Sequence, residues 1–252
     1  MKLPTLIGHR GARGEAPENT LASFLHAYKE GIRDFELDIR ISKDEELIVN
    51  HDVCVLRTTS NNGNIEDLTV AELMEMDARS TMTDWPEPAR IPTLKQVLDA
   101  CPEAKSWQFE VKTSSDDSLK KIAKKLNELI IERGLQKKAI VTSLNKKMLK
   151  HMRKVNPDIR RGFVCEKLSK KPIETALKYQ CTHLCLYFKI TSEALVHEAQ
   201  TEGLHVSCWT VNNLNVADAL LSWGVDSLIV DYPTAFRGYY KARRKRKIKA
   251  KS

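Results

Sequence analysis

Short apolar runs alternate with longer segments of helical period along almost the whole chain. Runs of strand character lie at residues 3–8, 34–41, 107–112, 139–143, 159–164, 183–187, 205–208 and 227–230. Between them, apolar positions recur at helical spacing over 20–30, 93–100, 118–133, 146–155, 172–179, 192–201 and 216–223. This alternation, in 252 residues, predicts parallel βαβ units closed into one (β/α)8 barrel, with a doubly wound open sheet as the alternative. The rhythm breaks at 52–90, where Asn61-Asn62-Gly63-Asn64 marks a turn and 67–76 reads as a short helix. That stretch is too long for an ordinary βα loop, and it is expected to cap the barrel mouth.

Within 34–41 the alternation is strict: Phe35, Leu37, Ile39 and Ile41 share one face, Glu36 and Asp38 the other. On an open sheet this describes a half-exposed strand. In a closed parallel barrel the polar face turns inward, where paired like charges are costly unless they share a cation. The run 107–112 repeats the pattern with Glu110 and Lys112 on one side. Three carboxylates at one mouth, without sulfur or imidazole among them, favour a hard cation, Mg²⁺ or Ca²⁺. Lys112 is placed to neutralise a phosphate or to serve as a salt-bridge partner. His9 and Arg10 directly follow the first strand, and His51 and Asp52 follow a short extended piece at 46–50. Two histidines at strand ends, beside an arginine and three acids, point to acid/base chemistry. Trp209, ending the seventh strand, is placed to wall that pocket or to pack at its rim.

Charge and cysteine usage narrow the partners. The formal net charge of +8 invites a nucleic-acid reading, but residues 241–252 carry eight Lys and Arg and no acid, leaving the body balanced. The tail is read as a solubilising helix end or as a weak contact to an anionic membrane surface. No apolar run reaches 18 residues and the first ten lack a secretory pattern, so a soluble, cytoplasmic protein is expected. The six cysteines form no C-x-x-C pair and are expected to be buried and reduced. Cys181, His183 and Cys185 alternate as on one strand face and are read as strand core in preference to zinc ligands.

The motifs Gly8-His9-Arg10-Gly11, Ala16-Pro17-Glu18-Asn19-Thr20, Glu36-x-Asp38, His51-Asp52, Arg57-Thr58-Thr59, Asp67-Leu68-Thr69, Ile91-Pro92-Thr93-Leu94, Glu110-x-Lys112, Trp209-Thr210-Val211-Asn212 and Asp231-Tyr232-Pro233 stand in this order. Together they resemble the signature of the glycerophosphodiester phosphodiesterases, over nearly everything before the basic tail. The resemblance implies a TIM barrel at 1–240 with the cap 52–90 inserted after the second strand. It implies hydrolysis of glycerophosphodiesters to glycerol 3-phosphate and an alcohol such as choline or ethanolamine. Among residues it implies His9 and His51 as the acid/base pair, a divalent cation on Glu36, Asp38 and Glu110, and Arg10 and Lys112 on phosphate oxygens. Glu18 and Asn19 would order the first loop and Trp209 would line the substrate groove. The chemistry expected is in-line displacement at phosphorus, by water or, as the resemblance implies, first by the neighbouring glycerol hydroxyl to give a cyclic phosphate. One departure is Val53-Cys54-Val55-Leu56, where the family shows a more polar run; it leaves open a lysophospholipase D-like activity on lysophospholipids. A noncatalytic nucleic-acid or membrane binder working through the tail is the reading from another class, and the metal and histidine positions argue against it.

Overall fold

The computed structural model describes residues 3–249. The strands are β1 (Thr5–His9), β2 (Asp34–Ile41), β3 (Leu47–Val49), β4 (Ser106–Val111), β5 (Ala139–Ser143), β6 (Arg160–Cys165), β7 (His183–Tyr187), β8 (His205–Trp209) and β9 (Ser227–Val230). The helices are α1 (Leu21–Lys29), α2 (Leu56–Thr59), α3 (Val70–Glu75), α4 (Leu94–Ala100), α5 (Asp116–Glu132), α6 (Lys146–Val155), α7 (Pro172–Lys178), α8 (Glu193–Thr201), α9 (Leu214–Ser222) and α10 (Pro233–Lys249). The strands follow the order β1, β9, β8, β7, β6, β5, β4, β2, and a further pairing of β1 with β2 closes the ring. A closed parallel barrel therefore replaces the open-sheet alternative.

Local chemistry supports these elements. Thr20, Thr93, Ser115, Asn145, Ser192 and Asn213 each accept a backbone N–H in the first turn of the helix they precede, satisfying donors that the helix itself leaves open. The outward strand residues Phe35, Leu37, Phe109, Val141, Leu184 and Val206 are fully covered by the surrounding helices. Burying each large apolar side chain contributes roughly 1.5–3 kcal/mol.

β2 is longer than β1, so β1 occupies only part of its edge, pairing Gly8 with Phe35 and His9 with Glu36. The upper part of that edge is taken by β3, which pairs antiparallel, Ile41 with Leu47 and Ile39 with Val49. The extended piece after β2 is thus a hairpin return, turning at Glu45 with φ 63°. It brings the chain back to the mouth, where Asn50 N donates to the Asp38 carbonyl at 3.1 Å, and His51 follows. The inserted stretch that comes next contains α2, α3 and a 3-10 turn at Ile65–Asp67. Its small apolar cluster joins Val55, Ile65, Leu73 and Ala78 to Ile48 and Ile91.

The basic segment begins inside α10. Tyr240 is buried and Arg243 pairs with Asp218, while residues 250–252 of the tail lie outside the described residues. Among the described residues, no helix is long and apolar enough to cross a membrane.

Below the mouth the barrel interior is polar. Gln108 Nε2 lies 3.3 Å from Cys185 Sγ, and a side chain at Gly162 would collide with Thr142 and crowd His183. The register pairs His183 with His205, and their rings lie 4.6 Å apart. Burial, aided by the neighbouring His205 and Arg160, pushes the His183 imidazole down to about 3. In the unfolded chain a histidine titrates near 6.5. As pH falls from about 6.5 toward 3, the unfolded chain therefore takes up a proton that the native barrel refuses, and stability is lost across that window. At pH 5 the loss from this group is about 2 kcal/mol. Denaturant unfolding at pH 7.5 and pH 5 should show that extra loss in the wild type and a shallower one in His183→Gln.

Candidate active site

The first loop folds tightly against the end of β1 and against α1, which explains Gly8 and Gly11. A Cβ at Gly8 would lie 2.1 Å from the Gly11 carbonyl oxygen. Gly11 adopts φ +86°, and a Cβ there would meet the Ser23 and Phe24 backbone within 2.8 Å. The tight turn, with Arg10 itself at φ 50°, directs the Arg10 backbone N–H to Glu36 Oε2 at 3.2 Å. Arg10 is buried, with Nη1 donating to Glu18 Oε1 at 2.7 Å and Nε 2.9 Å from Asp38 Oδ2. Asn19 Nδ2 reaches the same Asp38 oxygen at 2.8 Å.

Strand register carries the three predicted carboxylates to one place. β2 and β4 pair Asp38 with Glu110, and one oxygen each from Glu36, Asp38 and Glu110 lies within 4.8 Å of the others. Among the described residues, this is the group of acids, histidines or cysteines whose spacing fits a metal ion. Glu36 is fully enclosed, and its Oε1 is buried without a hydrogen-bond partner. Burial, then the charges of Asp38 and Glu110, pushes its carboxyl well above the ordinary range. Burial would also raise Asp38, but Lys112 and Arg10 prevail and hold it well below that range. An orphaned carboxylate oxygen within an all-oxygen set of three acids fits a hard divalent cation. Lys112 Nζ stands 2.7 Å from Glu110 Oε1 and 3.0 Å from Asp38 Oδ1, so its single charge offsets part of the cluster's.

The two histidines have matching surroundings. His9 Nδ1 lies 2.5 Å from Asp231 Oδ1, with Nε2 turned inward, 3.8 Å from Glu36 Oε2. Asp231 is held by Asn212, whose Nδ2 donates to Oδ2 at 2.7 Å while its Oδ1 accepts the Asp231 N–H at 2.9 Å. His51 Nδ1 lies 2.7 Å from Asp52 Oδ1. Burial lowers both imidazoles; Asp231 opposes it at His9 and the Asp38 charge opposes it at His51. Each ring thus directs one nitrogen to a carboxylate and leaves Nε2 for other chemistry.

His9, Arg10, Glu36, Asp38, His51, Glu110 and Lys112 come together at this mouth, whereas Cys185 and His183 lie below it in the barrel interior. Trp209 and its register partner Tyr187 end adjacent strands with rings 5.4 Å apart, and the indole N–H donates to the Cys185 carbonyl at 3.1 Å. Arg10 and Lys112, expected on phosphate oxygens, are here engaged with carboxylates. Sequence reasoning assigned no part to Asp52, Arg57, Asn212 or Asp231, though all four lie in the quoted motifs. A cleft of about 430 Å³ lined by Leu25, His26, Trp85 and Pro88 lies between α1 and the cap, outside this constellation.

Comparison with known proteins gives a consistent picture. The sequence model of the glycerophosphoryl diester phosphodiesterase family matches residues 9–235. A glycerophosphodiester phosphodiesterase of Caldanaerobacter subterraneus subsp. tengcongensis is 31% identical over 230 residues, covering 90% of this chain and 94% of that protein. A human lysophospholipase D is 26% identical over 271 residues, covering 92% and 85%. Among solved structures, a phosphodiesterase of Oleispira antarctica in complex with the product sn-glycerol-3-phosphate superposes with a TM-score of 0.87 at 26% identity, covering 95% of this chain and 97% of that one.

Proposed function

The chain belongs to the glycerophosphoryl diester phosphodiesterase family, and we propose that it hydrolyses glycerophosphodiesters to glycerol 3-phosphate and an alcohol by paired histidine acid/base catalysis beside a divalent cation. The observation that carries this reading is the pair of histidine–carboxylate dyads flanking one trio of acids at the mouth. A carboxylate on Nδ1 fixes the tautomer and favours the imidazolium, so Nε2 can take a proton at one stage and return it at another. One histidine removes a proton from the attacking hydroxyl or water, and the other protonates the departing alcohol oxygen. Glu36, Asp38 and Glu110 would hold the cation, Mg²⁺ or Ca²⁺. When bound, it supplies Lewis-acid stabilisation of charge on the phosphoryl oxygens. Lys112, already among those carboxylates, turns an ammonium toward the same charge, and Arg10 anchors the first loop between Glu18 and Asp38. Tyr187 and Trp209 form an aromatic wall for the rest of the substrate.

A second reading, lysophospholipase D-like hydrolysis, draws on two exposed apolar side chains of the cap. Val53 and Leu56 are 51% and 50% exposed, on either side of buried Val55. The test is release of glycerol 3-phosphate from glycerophosphocholine, glycerophosphoethanolamine and glycerophosphoglycerol, with a lysophospholipid arm alongside. Each is run with Mg²⁺, Ca²⁺, Mn²⁺ or chelator. Turnover of the water-soluble diesters, abolished by chelator and restored by one of the cations, is expected. Turnover of lysophospholipid alone would select the second reading, and full activity in chelator would remove the cation from the proposal.

A further inference from the structure

Building on that reading, we propose that Arg57, carried by the cap, is a positioning residue for His51, holding it through Asp52 and tying it to the first loop through Glu18. Arg57 Nε donates to Asp52 Oδ2, while Asp52 Oδ1 engages His51. The other edge of the same guanidinium forks onto Glu18, with Nη2 2.7 Å from Oε1 and Nη1 2.9 Å from Oε2. Glu18 is buried, and it also receives Arg10 at 2.7 Å and Arg13 at 3.1 Å. Burial would raise the Glu18 carboxyl, but Arg57 and Arg10 pull it down to about 2, so it remains an anionic hub.

The linkage is continuous from His51 through Asp52, Arg57, Glu18 and Arg10 to Asp38. Its geometry requires a planar fork, since one group must serve two carboxylates on different edges; a lysine ammonium is a point charge without that reach. The supporting turn is itself anchored. Val55, Thr58 and Thr59 are buried, both threonine hydroxyls return to the Val55 carbonyl, and Ser80 N donates to the Thr58 carbonyl at 2.9 Å. The inserted segment therefore sets the orientation of a mouth histidine. An arginine 38% exposed could instead clamp substrate phosphate directly, and that alternative leaves a different kinetic trace.

The test compares Arg57→Ala, Arg57→Lys, Asp52→Asn, Arg57→Ala/Asp52→Asn and His51→Ala in the full chain. Losing such a supporting partner costs about 10- to 100-fold. Arg57→Ala and Asp52→Asn should each lower kcat by that factor with KM changed less than about threefold, and the double variant should match the worse single one because both act through one ring. Arg57→Lys should recover less than about a third of the lost kcat. The NMR signal of the His51 Nδ1 proton should be lost in Arg57→Ala while thermal unfolding stays cooperative. Multiplying losses, or a loss confined to KM, would overturn the proposal in favour of direct phosphate binding. Full activity in Arg57→Ala with His51→Ala crippled would overturn the positioning role alone. Full activity in His51→Ala would overturn the histidine reading with it.

Discussion

Alanine at His9 is expected to lower kcat by about 10²- to 10⁴-fold while the barrel stays folded. His9 ends β1 and is almost entirely enclosed, with Nδ1 fixed by Asp231 and Nε2 facing the acids. Its truncation removes a proton carrier without removing an outward core contact, since Ile7 and Gly8 below it hold the strand pairings with β9. Asp231→Asn separates orientation from proton transfer. An amide in that position can present N–H to Nδ1 and stabilise the wrong tautomer, so a loss of kcat larger than any change in KM is expected there too. Steady-state kinetics on a soluble glycerophosphodiester, with circular dichroism as the folding control, measures both. Turnover of His9→Ala near the wild type would remove it from the mechanism.

The two histidines also mark how far sequence could see. Strand parity in 34–41 placed Glu36 and Asp38 on one face, and the run at 107–112 supplied Glu110 in the same way; both inferences need only period two and a neighbouring strand. The core strands lie within one or two residues of their predicted bounds, because each is a short apolar run bounded by turn residues. The hairpin return of β3 was not legible, since a three-residue strand carries too little periodicity to show its direction. Asp52 adjoins His51 in the chain, so that dyad was locally available. Asp231 lies 222 residues from His9, and their contact exists only because β9 closes the ring beside β1. The pairing of His183 with His205 likewise depends on the register of β7 against β8, which no local pattern states. The same holds for Arg57 of α2 and Glu18 of the first loop, long side chains that meet only when the inserted segment packs beside that loop.

Glu36→Gln should separate two consequences of the acid trio that a simple loss of activity would merge. Glu36 Oε1 and Asp38 Oδ1 are both buried without a hydrogen bond, but Asp38 Oδ1 faces Lys112 Nζ at 3.0 Å, whereas burial with two neighbouring acids opposes ionisation of Glu36. Replacing this carboxyl by a neutral amide should therefore leave the cation-free protein as stable as the wild type, or more so, because holding an acid in a buried site beside two like charges is costly. The same change deletes one of the proposed cation ligands, so the variant should lose its response to cations. A ligand present at 100 times its dissociation constant stabilises the folded state by about 2.7 kcal/mol, which for a chain of this size raises Tm by roughly 5–11 °C. Thermal unfolding in chelator and then in Mg²⁺ or Ca²⁺ should show that rise in the wild type and little of it in Glu36→Gln. Turnover of the variant should fall by about 10³-fold, equivalent to several kcal/mol of lost charge stabilisation. Glu110→Gln makes a useful contrast, because it removes a partner of Lys112 as well as a proposed ligand. That variant should lose stability in chelator in addition to its cation response. An undiminished cation-induced rise in Tm in both variants would mean that the ion binds elsewhere, and the assignment of this trio would have to be abandoned.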